Sequence, residues 1–171
     1  MIILATLLLT IAVLGFIAPK DFSIEREITI NKPVSVVFNY VKFVKNDRNW
    51  SPWASKDPNM TTDYRGTDGT VGFVSSWSGN DEVGVGEQET KSIVENSRID
   101  FELRFKKPME DTSKAYLITE AIGANQTKVK WGMIGKSEFP MNVFCMIMNM
   151  NKMLNNTFDE GLSSLKSVLE K

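Results

Sequence analysis

The spacing of apolar residues changes character four times along this chain, and each change marks the start of a new element or group of elements. Positions 2–18, "IILATLLLTIAVLGFIA", carry no charge. At ~1.5 Å of rise per residue, a helix over this run reaches roughly 25 Å, within the usual range for a membrane span. No Lys or Arg precedes the run, and Phe16 is bulky where a signal-peptide cut after Ala18 calls for a small side chain. The run is therefore predicted to be an uncleaved transmembrane anchor over residues 1–19, single-pass, with the domain occupying 20–171. Lys20, just beyond it, places the body on the cytoplasmic side by the positive-inside rule.

From Phe22 the period becomes two. "FSIEREITI" sets Phe22, Ile24, Ile28 and Ile30 on one face, with Arg26 among them, and reads as a half-buried strand. "NKPVSVVFNYVKFV" follows with Pro33 near a first turn and Val36, Val37, Tyr40, Val41 and Val44 at helical spacing. "DRNWSPWASKDP" is broken by Pro52 and Pro58 and holds at most one more helical turn. The middle of the chain then alternates. "VGFVSSW" puts Val71, Phe73, Ser75 and Trp77 on one face. "VGVGEQETKSIVE" begins with Gly84 and Gly86, where a bulge or a close approach is expected. "RIDFELRF" turns Ile99, Phe101, Leu103 and Phe105 inward, and "SKAYLITEAI" with "TKVKWGMIG" forms a hairpin around "GANQ". "TDYRGTDGTVG" fits no phosphate-loop spacing and reads as a turn.

After Pro140 the period returns to that of a helix. Val143, Ile147, Met150, Leu154, Phe158, Leu162, Leu165 and Leu169 form a stripe that predicts one long final helix. Its first two turns are apolar nearly all round, with Met141, Phe144, Cys145, Met146 and Met148 outside the stripe. Strands grouped between a short helix and a long one, without βαβ alternation, make the class α+β.

Composition narrows the chemistry. The 171 residues carry twenty basic and twenty-one acidic side chains in mixed order, so nucleic-acid binding is not expected. There is no histidine, which removes the commonest general base and metal ligand. Cys145 is the single cysteine, so no internal disulfide or CxxC site exists. No metal, no cofactor and no catalytic residue is assigned.

The order of elements, "NWSPW" after the first helix, the "VKWGMIG" strand and the closing "FDEGLSSLK" together resemble the START-like superfamily. The likeness is strongest to its polyketide-cyclase/SRPBCC-type members, several of which carry an N-terminal membrane anchor. The resemblance covers Phe22 to Lys171 and rests on packing positions, not on a catalytic signature. It implies a helix-grip fold, a curved antiparallel sheet wrapped round the C-terminal helix, with a cavity between them for a lipid or other apolar molecule. It also leaves open a cyclase- or dehydratase-type enzyme and a partner-binding scaffold of the chaperone-activator kind.

The candidate ligand-binding residues are Arg26, Trp50, Trp53, Trp77, Phe101, Tyr116, Trp131, Phe144 and Met148. Trp50 and Trp53 either cap a pocket entrance or plug the end of the sheet. Trp77, Phe101, Tyr116 and Trp131 are strand aromatics, core by default, with some expected to touch a cavity. Arg26 requires a partner if buried, either a ligand carboxylate or phosphate or one of Glu87, Glu89 and Glu120, and otherwise sits on a frayed strand edge in water. Phe144 and Met148 belong to the methionine-rich helix start, facing a cavity mouth or the membrane unless loops bury it.

Overall fold

The computed structural model describes residues 14–171. The predicted anchor falls mainly on residues 1–13 and so lies outside the described residues; no helix among those described is long and apolar enough to cross a membrane.

The strands are β1 (Asp21–Ile30), β2 (Thr61–Arg65), β3 (Val74–Ser78), β4 (Val85–Val94), β5 (Arg98–Lys107), β6 (Asp111–Gly123) and β7 (Gln126–Lys136). The helices are α1 (Val34–Val41), a 3-10 helix (Val44–Asn49), α2 (Pro52–Lys56), α3 (Met141–Ile147) and α4 (Met150–Leu169). The strands form one antiparallel curved sheet in the order β1-β7-β6-β5-β4-β3-β2. First and last strands are thus neighbours, while the helical segment between β1 and β2 carries the chain to the far edge. Helix α4 lies on the inner face and buries Phe158, Leu162 and Leu165 there. This is the helix grip.

Strict alternation explains the two faces. Ile99 and Phe101 on β5 are buried on the inner side, while Arg104 on the outer side donates to Glu87 (2.8 Å) and Glu89 (2.8 Å) and also bonds Glu102. Hydrogen bonds from Arg104 to Glu87, and from Lys91 and Arg104 to Glu89, hold both carboxyls below the usual range. On the inner side, Val37, Phe38 and Val41 of α1 close over Ile99, Phe101, Leu117 and Val129, with Leu162 and Leu165 of α4 completing the cluster. Only one end of the grip is filled in this way.

Three sequence expectations are corrected. The long final helix is two helices, broken at Asn149, which adopts a left-handed conformation (φ 50°, ψ 47°). Asn tolerates that region, so no Gly or Pro announces the break. "TTDYR" is a strand, β2, not a turn; as an edge strand it has one partner, and its exposed Thr61, Asp63 and Arg65 hide the alternation. Val71 lies before β3 and is 61% exposed, leaving Phe73, Ser75 and Trp77 as the inward positions of that stretch. The glycines behave as expected. β4 carries a register shift at Val85/Gly86, and a Cβ on Gly86 would lie 2.6 Å from the Trp77 ring.

Candidate functional site

The unfilled end of the grip is a cavity of about 790 Å³. Its walls follow from the elements. β5 supplies Leu103 and Phe105, the inward residues next along the strand from buried Phe101, and β7 supplies Met133. β3 supplies Trp77, β1 supplies Phe22, and α4 supplies Met150 and Leu154. The mouth is formed by Ser137–Asn142 and by Cys145 and Met146 of α3.

An aromatic wall separates the cavity from the filled core. Trp131 of β7 stacks on Phe158 of α4 with ring centroids 4.1 Å apart and planes 10° apart. Trp50 and Trp53 meet Trp131 edge-on at 5.0 and 5.7 Å. Gly161 makes the approach possible, since a Cβ there would lie 2.7 Å from the Trp131 ring and 2.9 Å from Pro52. Trp50 stands on the filled side, 4% exposed, and Trp53 faces the cavity.

The nine candidate residues therefore separate. Trp53 and Trp77 line the cavity. Trp50 and Phe101 belong to the filled core, and Trp131 stacks in the wall without lining the cavity. Tyr116 is on the outer face: its hydroxyl donates to Glu25 at 2.6 Å, and the Arg98 guanidinium covers its ring at 4.5 Å. Burial and the Glu25 carboxylate push this phenol up to about 12. Its parity on β6, opposite to buried Ala115 and Leu117, already dictates that side. Arg26 shares the parity of Ile24 but lies at the open edge of the sheet, exposed, the edge position among its three alternatives, and its partner is Asp159 of α4 at 2.7 Å and not Glu87, Glu89 or Glu120. Phe144 and Met148 are 53% and 57% exposed, and their helical neighbours Met141, Cys145 and Met146 line the cavity in their place.

The methionine-rich helix start touches the chain that precedes β1. Asn142, fully buried, donates from its amide to the Gly15 and Ala18 carbonyls at 3.1 and 3.2 Å. Gly15 packs under the Phe139 ring, and Ser137 N–H donates to the Lys20 carbonyl at 2.7 Å. The segment 18–20 is thereby tied to the chain after β7 and to α3. Around this clamp Phe16, Ile17, Phe139, Phe144, Ile147 and Met148 are all more than half exposed.

Sequence reading missed the polar part of the cavity lining: Asp47 of the 3-10 helix, Tyr64 of β2, Ser75 of β3 and Gln88 of β4. Burial and the neighbouring Asp68 carboxylate push the Asp47 carboxyl up to about 8, against the opposing pull of Gln88 and Trp50. Asp68 itself accepts from the Val44 and Lys45 backbone N–H groups at 2.9 and 3.2 Å, which fixes its carboxylate beside the 3-10 helix. Among the described residues no group of three or more acidic or thiol side chains is placed to hold a metal.

No family model and no curated protein matches the chain. Solved structures do share its fold. It is similar to the Aha1 dimer from Colwellia psychrerythraea at 18% identity, over 87% of this chain and 96% of that one, with a TM-score of 0.57. It is similar to Ara h 8.0201 at 13% identity, over 87% and 97% of the two chains, with a TM-score of 0.55. A third likeness is to DynU16, a protein of the dynemicin biosynthetic locus, at 13% identity over 87% of this chain and 47% of that one, TM-score 0.59. At these identities the likeness establishes a START/SRPBCC-like fold.

Proposed function

We propose that this domain holds one apolar small molecule or lipid between sheet and α4, working at a bilayer to which its N-terminal segment attaches it. The observation that carries this reading is the cavity. About 790 Å³ lies within the ~300–1,000 Å³ typical of small-molecule sites, and Trp53, Trp77, Phe105 and Met133 give it apolar walls. A partner-binding scaffold would be expected to have a filled interior, and this chain does not. The membrane part rests on the exposed apolar cluster beside the mouth, which continues the uncharged run of residues 2–18. Clamped through Asn142, the end of that run lies at the cavity mouth, so a guest leaving the mouth would meet lipid before water.

The test is native mass spectrometry of the full chain extracted from its membrane in mild detergent, followed by thermal unfolding with a panel of lipids. A co-purifying small molecule and a rise in melting temperature with it are expected, because a ligand that binds only the folded state stabilises it by about 2.7 kcal/mol at a hundredfold excess over Kd. No adduct and no shift across the panel would overturn the proposal.

A further inference from the structure

The polar residues of the cavity are ordered, and their order is set by strand register. Tyr64 pairs with Ser75, Ser75 with Gln88, and Gln88 with Leu103, so three polar side chains form one cross-strand row on the inner face. The next row toward the mouth is Thr62, Trp77, Gly86 and Phe105, and the row behind holds Thr90 and Phe101 against the filled core. The polar row is thus the inner end of the cavity, with the aromatic row between it and the mouth.

Asp47 shares this end of the lining with the row. The groups acting on its carboxyl are the Asp68 carboxylate, the Gln88 amide and the Trp50 indole, and no cation is among them. Arg48, also on the cavity wall, donates to Thr62 Oγ1 at 3.3 Å, and Lys45 lies over the Tyr64 ring at 4.8 Å.

We propose that this inner end is a head-group site for an uncharged amphiphile bearing a hydroxyl or carbonyl. Asp47 and Gln88 hydrogen-bond the head, and the tail runs past Trp77 and Phe105 toward the mouth. The inference rests on the cavity-carrier reading and specifies its ligand class. An acid kept protonated by burial donates one hydrogen bond and accepts another, which suits a hydroxyl or carbonyl. A carboxylate head would meet Asp47 and Asp68 with no cation among the groups acting on that acid, and an ammonium would first have to ionise it in a desolvated site.

The test compares four ligands of one chain length (hexadecan-1-ol, hexadecanoate, hexadecylamine and hexadecane) on the full chain in detergent at pH 7, with affinities from native mass spectrometry titrations. The alcohol is expected to bind roughly tenfold tighter than hexadecane, the scale of one or two well-made hydrogen bonds, and tighter than both charged ligands. Asp47→Leu and Gln88→Leu should each abolish the alcohol's advantage over hexadecane within the same variant, with folding checked independently by circular dichroism. Asp47→Asn should keep the preference. If hexadecanoate or the amine binds best, or if the alcohol preference survives both leucine variants, the head-group site is overturned while the carrier reading stands. If none of the four binds wild-type protein, the carrier reading fails.

Discussion

Asp47 sits half-buried in the cavity lining, where burial and the Asp68 carboxylate raise its pKa to about 8 from an ordinary 3.8. The consequence for stability has a definite sign. Below about pH 4 the group is protonated in folded and unfolded chains alike and contributes no difference. Between pH 4 and 8 the unfolded chain has released the proton and the folded chain has not, so stability falls as pH rises; above pH 8 the loss is complete. Asp47→Asn removes the titration and keeps the shape. It should unfold at a higher denaturant concentration than wild type at pH 8, by about 1–3 kcal/mol, with the gain vanishing near pH 4. A parallel pair of pH profiles would contradict the assignment. Arg26 is the opposite case. Its pKa is raised by the hydrogen bond and charge of Asp159, but both partners are exposed, so the pair contributes little to folding.

At the scale of elements, the break between α3 and α4 is set by one residue. Asn149 holds φ at 50°, a region that costs an ordinary side chain roughly 1–2 kcal/mol and glycine almost nothing. Asn149→Gly should leave the thermal midpoint unchanged or slightly raised, and Asn149→Val should lower stability by about 1–2 kcal/mol; equal midpoints would mean that the two helices fuse into one. The same break shows what periodicity can and cannot reveal. Alternation placed Ile99, Phe101, Leu103 and Phe105 on one face, and the 3.6 period placed Phe158, Leu162 and Leu165 on another, which sufficed for the grip. It could not say which half of that face α1 covers, so Phe101 was a candidate for the cavity when Leu103 and Phe105 line it. Asp47 was illegible for a related reason. A 3-10 segment such as "VKNDRN" has no apolar stripe, and only the fold brings its carboxyl to Gln88. β2 was missed because an edge strand need not alternate apolar and polar residues strictly.

The whole molecule divides into a solid end and a hollow end, with the Trp131–Phe158 stack as the partition. Local opening should follow this division, because segments with few buried apolar neighbours open first. Backbone amides of α3 are expected to exchange with deuterium faster than those of Phe158–Leu165 in α4, and a bound guest should slow α3 while leaving the α4 segment as it was. Uniform exchange across both helices would show that the partition has no dynamic meaning.

That partition also shapes how the protein can diverge. Side chains beyond Trp131 border the cavity, while those on the near side fill the core. Leu103, Phe105 and Met133 belong to both classes, lining the cavity while packing with Ile24 and Phe158, so a lineage that exchanges them to reshape the cavity retunes the stability of the scaffold at the same time.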